Sequence, residues 1–195
     1  MGRERQIQKN AETRKAILDT AVSIGLEEGF DKLSVRKITD MLGYSSGIVY
    51  HYFKDKQEIL DTIHKQTSME LKDAVAACIK PDRSFADNTK VVFKMLTEVS
   101  VCEPDMFKLI LLNKYSHKSD SVAVWLDMIT RCVDMGIKSG ELRNIDAEIT
   151  SYTMLNSFLM AQMIIFEHDN ADKATIENIF DTELDIILNG ILSRE

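Results

Sequence analysis

From residue 17 to residue 191 the apolar side chains fall on one helix face after another, and little interrupts them. Ile17, Ala21 and Ile24 stand at i, i+4 and i+7, which places them on one side of an α-helix. A similar spacing returns in Ile59, Ile63, Leu71 and Val75, and again in Ile176, Phe180, Leu184, Ile187 and Ile191. Only two prolines and eight glycines punctuate 195 residues, and those are the residues a helix interior tolerates least. β-branched alternation is scarce, so the pattern predicts an all-α fold of about nine helices.

Caps and breakers divide this pattern. A first helix is expected over 11–28, stopped near Gly29 with Phe30 tucked under it. Ser34 is placed to cap a short second helix carrying Val35, Ile38 and Leu42, and Gly43 to end it in the left-handed conformation. After a turn of about three residues Ser45 is placed to cap a third helix held by Val49 and Phe53. Two short helices across a glycine-containing turn make a helix-turn-helix. Asp55 and Glu58 have capping-box spacing at the start of a long fourth helix that ends before Pro81.

Further on, Ser84 with Asp87 opens a helix through Val92, Met95 and Val99, and Pro104 suits the first position of one carrying Phe107, Ile110 and Leu111. Trp125, Met128, Ile129, Cys132 and Gly136 stripe another, closed by Gly140. Residues 154–166 are apolar nearly all round and require cover on both sides. The last helix, about 173–192, has so wide an apolar face, with Ile179, Ile186 and Leu188 beyond the main stripe, that it invites a partner subunit. A division into residues 1–56 and 57–195 follows from these breaks.

Composition narrows the function classes. Cys78, Cys102 and Cys132 are odd in number and far apart, which suits reduced core thiols better than a disulfide framework or a metal knuckle. The opening MGRERQIQKNAETRK is polar throughout and lacks an apolar signal region, and the greasy stretch FLMAQMIIF is about half a membrane span. A soluble, cytoplasmic protein with no membrane partner is expected. The net charge of −7 is uneven: residues 1–56 carry ten Lys or Arg against eight Asp or Glu, and the remainder fourteen against twenty-three. A mildly basic front on an acidic body suits a protein whose first quarter alone meets a polyanion.

Gly43-Tyr44-Ser45-Ser46-Gly47 matches G-x-S-x-G, the nucleophile elbow of serine hydrolases. That elbow needs a strand before the serine and a parallel sheet behind it, and no buried-strand run is present, so Ser45 reads as a helix cap rather than a nucleophile and no enzyme is expected. Ser45 and Ser46 instead offer hydroxyls and backbone N–H groups at a helix N-terminus. Gly47 permits close approach, Tyr50, His51 and Tyr52 bring donors, and Lys54 and Lys56 follow as phosphate clamps.

Residues 12–60, above all SVRKITDMLGYSSGIVYHYFKDKQEIL, resemble the N-terminal DNA-binding domain of the TetR family of transcriptional regulators. The resemblance implies a homodimer that binds a palindromic double-stranded DNA operator and is released by a small, hydrophobic effector, most often as a repressor. It also implies a C-terminal domain for that effector and a dimer interface built from the last two helices, where Phe180, Leu184, Ile187, Leu188 and Ile191 fall. DNA contacts carried over from the family fall on Ser34, Arg36, Tyr44, Ser45, Ser46, Gly47, Tyr50, His51, Tyr52 and Lys56. Ser46 stands where many members carry lysine, and Ile48, where many carry threonine, is suited to a thymine methyl. A helical protein-interaction module without DNA binding is the alternative.

Met95, Phe107, Trp125, Met128, Met154, Phe158, Met163 and Phe166 are candidates to line an effector pocket, with Asn156 and Gln162 as the polar groups most in need of a partner. His51, His64, His117 and His168 form no HxxxH pair, so neither a metal nor a cofactor is expected.

Overall fold

The computed structural model describes residues 2–110, 121–167 and 173–192. Among them stand nine α-helices and a 3-10 turn, with no strand. They are α1 (Gly2–Glu28), the turn Phe30–Lys32, α2 (Val35–Leu42), α3 (Ser46–Tyr52), α4 (Lys56–Cys78), α5 (Phe85–Cys102), α6 (Pro104–Ile110), α7 (Ser121–Lys138), α8 (Ala147–Glu167) and α9 (Lys173–Ile191). The all-α expectation holds. Leu111, His117 and His168 lie outside the described residues.

α1 begins at Gly2, nine residues before the expected start. Its polar front turns are laced by i, i+4 side-chain hydrogen bonds, Gln6 to Asn10 and Gln8 to Glu12, both at 3.1 Å, so helix forms there without an apolar stripe. Gly29 ends it at φ 90°. Phe30 then folds back into full burial. Its ring occupies the space where a side chain on Gly25 would stand: a Cβ there would lie 2.2 Å from Cε1.

α1 packs on α2, α4 and α6, α5 on α4, α6 and α9, and α7 and α9 on α8. One apolar core runs from Ile17 through Phe53, Ile63, Phe107 and Phe158 to Leu188. A smaller cluster of Val133, Leu142 and Met154 closes the far end. There Leu142 pairs with Leu192 in an isolated backbone bridge, and Arg143 donates to the carbonyls of Ile191 and Gly190.

Two apolar stripes differ from expectation. On α5 the buried face is Phe93, Leu96, Thr97 and Ser100, while Val92, Met95 and Val99 are only half-buried. Thr97 and Ser100 donate their hydroxyls to the carbonyls of Phe93 and Thr97, so they enter the core without unmet hydrogen bonds. On α8, cover exists on one side only: Ser151, Met154, Leu155, Phe158 and Ala161 are buried, whereas Ile149, Tyr152, Met160 and Met163 are exposed.

Candidate functional site

The segment around α3 is held by short-range bonds. Ser34 adopts an extended backbone and its Oγ accepts from the Lys37 N–H at 3.2 Å, capping α2. Gly43 ends α2 at φ 67°, ψ 26°, and the Tyr44 N–H donates to the Thr39 carbonyl at 3.1 Å, the closing bond of a Schellman turn. Lys37 also reaches back to Glu28 at 2.5 Å and holds that carboxyl below its ordinary range. These bonds fix where α3 starts and which way it points.

Val49 and Phe53 anchor α3, at 0% and 1% exposure, and the Arg14 guanidinium lies 4.8 Å over the Phe53 ring. With those two inward, Ser45, Ser46, Gly47, Ile48, Tyr50 and His51 are exposed. Ser45 stands at the N-cap position, but its hydroxyl makes no cap hydrogen bond, contrary to the expected cap. It follows a helix and a turn rather than a strand, so the elbow geometry of a hydrolase is not formed.

The remaining residues are partly engaged. Tyr52 does not point outward: it is half-buried and donates its hydroxyl to Asn10 Oδ1 at 3.2 Å. Tyr44 is half-buried as well. Lys56 Nζ donates to the Asp31 carbonyl at 3.1 Å, tying α4 to the turn after α1. Arg36 and Lys54 are exposed, the former 3.8 Å from Asp40 on its own helix. Asp55 Oδ1 accepts from the Glu58 N–H at 2.9 Å, while Glu58 returns to the Lys54 N–H at 2.6 Å, one residue earlier than in an ordinary capping box.

A cavity of about 360 Å³ opens among α4, α5, α7 and α8. Four candidate residues, Trp125, Met128, Met154 and Phe158, line it. The others are placed elsewhere. Met95 packs its sulfur 3.6 Å from Cys78 Sγ, Phe107 is fully buried with its ring 6.1 Å from that of Phe158, and Asn156 and Met163 are exposed. Gln162 is fully buried, and neither of its amide atoms has a partner among the described residues. The Phe166 side chain lies outside the described residues. Lining residues that sequence patterning passed over include Ile79, Arg83, Phe85, Leu96 and Glu141. Arg83 and Glu141 stand outside helix stripes, where periodicity has nothing to say.

Phe180, Leu184 and Leu188 turn into their own chain's core, and Ile187 and Ile191 are half-buried. The apolar side chains that α8 and α9 present outward are different ones. They are Ile149 at 66% exposure, Met160 at 53% and Ile186 at 68%, with Tyr152, Met163 and Ile179 among them. On α8 these repeat at i, i+3, i+11 and i+14, a face opposite Phe158. Among the described residues no three acidic, histidine or cysteine side chains gather as a metal site, and no helix is long and apolar enough to cross a membrane.

Residues 17–63 match the family of bacterial regulatory proteins of the tetR type. The uncharacterised HTH-type transcriptional regulator YhgD of Bacillus subtilis is 23% identical over 182 residues, covering 86% of this chain and 92% of that protein. The HTH-type transcriptional repressor KstR2 of Rhodococcus jostii is 21% identical over 189 residues, 92% of this chain and 91% of the other. A crystal structure of a TetR-family regulator from Pectobacterium atrosepticum superposes with a TM-score of 0.78 at 20% identity, covering 96% of this chain and 97% of that one. At that identity the likeness is one of fold.

Proposed function

The chain belongs to the TetR family of helix-turn-helix transcriptional regulators, and we propose that it represses as a homodimer, each α3 entering the major groove of one half of a palindromic operator. The observation that carries this is the outward face of α3: with Val49 and Phe53 buried, Ser45, Ser46, Gly47, Tyr50 and His51 share the exposed side. Tyr50 and His51 reach base edges, and Ile48, 38% exposed, meets a thymine methyl. Ser34, Arg36, Tyr44, Ser45, Ser46, Lys54 and Lys56 contact phosphates. Tyr52 supports the reader from behind through Asn10.

Two subunits joined along the outward faces of α8 and α9 set the readers about 34 to 36 Å apart, one turn of DNA. α4 links the parts. Its 23 residues begin with Lys56 beside the reader and end at the cavity, lined by Val75 and, just past the helix, Ile79, a span of about 34 Å. An effector in the cavity that favours one tilt of α4 changes the reader spacing, and it releases DNA if it prefers the splayed state. A coupling of about 1–3 kcal/mol is the usual scale for such a switch.

Selection from randomised DNA, followed by affinity against salt, tests the reading. Arg36, Lys54 and Lys56 from two subunits suggest about six phosphate contacts and a log–log slope near −5. No selected site, or a slope near zero, would turn the reading toward a protein-interaction module.

A further inference from the structure

We infer that the effector is an anionic amphiphile, an apolar body ending in a carboxylate or phosphate that sits beside Arg83 and Lys80; this rests on the reading of the cavity as the effector site. The walls are apolar, formed by Val92, Leu96, Trp125, Met128, Ile129 and Phe158 among others. Such a lining selects a greasy body, and its polar groups select the end.

Those polar groups are unequal in what they have left to offer. The Asn88 amide is spent on the loop beside it: Oδ1 accepts from the Lys80 N–H at 2.9 Å, and Nδ2 donates to the Lys80 and Arg83 carbonyls at 2.9 and 3.2 Å. Thr89 donates to the Phe85 carbonyl at 2.8 Å and Ser139 to that of Gly136 at 3.1 Å. Glu141, the one acid in the lining among the described residues, accepts from the Phe85 N–H at 2.6 Å through one oxygen, and its other oxygen lies 3.2 Å from the Ser139 hydroxyl, whose single proton it shares with the Gly136 carbonyl. A cationic ligand would therefore meet a carboxylate already in use at the start of α5.

The two cations are in the opposite position. Arg83 donates one Nη1 hydrogen bond, to the Cys78 carbonyl at 3.2 Å, and a guanidinium carries five N–H groups. Neither Arg83 nor Lys80 is ion-paired among the described residues. Both stand in the segment joining α4 to α5, Arg83 half-buried and Lys80 exposed, at the end of the chamber where Glu141 meets Phe85, so two cations face one carboxylate there. An acidic end group there takes charge-assisted bonds, with a guanidinium able to grip two oxygens at once. Because Arg83 also holds the carbonyl of the last residue of α4, the anion's pull acts on the helix that reaches the reader.

Calorimetric titration of the purified full chain with decanoate, decyl phosphate, decanol and decylammonium, each kept below its micelle concentration, tests this. In the wild type, decanoate or decyl phosphate should bind at least roughly tenfold more tightly than decanol, and decylammonium more weakly. Whichever anion binds more tightly identifies the head group. Lys80→Gln with Arg83→Gln should bring acid and alcohol to about equal affinity. Arg83→Lys, which keeps the charge, should retain the preference and guards against a folding defect in the double variant. Cys132→Phe adds a ring to the cavity wall and should weaken binding of all probes. Equal affinity for acid and alcohol in the wild type, both weakened by Cys132→Phe, would overturn the anionic end and leave the cavity as the effector site. Acid binding unchanged by Cys132→Phe, or no binding of any probe, would overturn the effector-site reading and this inference with it.

Discussion

At the scale of single residues, the helix ends around α3 are set by side chains and turns that bond only to their sequence neighbours. Gly25 is an exception, since what it must accommodate is the Phe30 ring folded back from the next turn, 2.2 Å from where its Cβ would be. Gly25→Ala adds one methyl to a site with no room, and should lower unfolding free energy by about 1–3 kcal/mol, read as a fall in urea midpoint. An unchanged midpoint would mean that Phe30 leaves its place freely. Such a clash is invisible in sequence because glycine inside a helix also serves other ends. By contrast, Ser34, Gly43, Asp55 and Ser84 are legible as caps, their partners lying within four residues. Ser45 shows the limit: the right residue at the cap position, with its hydroxyl unused by the helix.

Among the elements, the α4–α6 contact joins the reader to the rest of the molecule. His64 on α4 is 5% exposed, and its Nε2–H donates to the Ile110 carbonyl on α6 at 3.2 Å; α6 in turn packs on α1. Burial depresses the His64 pKa below 6.5, while the Ile110 bond and Asp61 act the other way more weakly. The unfolded chain therefore takes up this proton first as pH falls. His64 contributes stability that is present above about pH 6.5 and declines below it, until the folded histidine is protonated too. Urea midpoints from pH 7.5 down to pH 5 should show a smaller loss for His64→Gln than for the wild type, and equal losses would assign the trend to carboxylates. Sequence patterning could not reach this pair, 46 residues apart. Nor could it phase α5 correctly, because it counts threonine and serine as surface residues although Thr97 and Ser100 meet their own helix's carbonyls.

At the scale of the whole molecule, some apolar residues serve the fold and others are left for the proposed second subunit. The terminal stripe of α9 looked like an interface because a sequence shows that a face is greasy, not which neighbour covers it. Within one chain that stripe is already covered: Phe180 is 2% exposed and packs its ring 5.4 Å from that of Phe158. Ile186 at 68% exposure and Met160 at 53% are not covered, and exposed apolar side chains on two packed helices are where the proposed partner would seat. Two substitutions separate the roles. Phe180→Ala should lower unfolding free energy by about 3–5 kcal/mol with little effect on subunit dissociation beyond what unfolding drains. Ile186→Asp should leave a folded monomer and, with a carboxylate entering the seam from each subunit, raise the dissociation constant by roughly a hundredfold, about 3 kcal/mol. Sedimentation equilibrium measures this directly. The same variant should lose operator affinity steeply, because two readers held at one spacing bind far more tightly than one alone. If Ile186→Asp sediments as the wild type while Phe180→Ala dissociates, the seam runs along the buried stripe after all, and α9 must rotate to expose it.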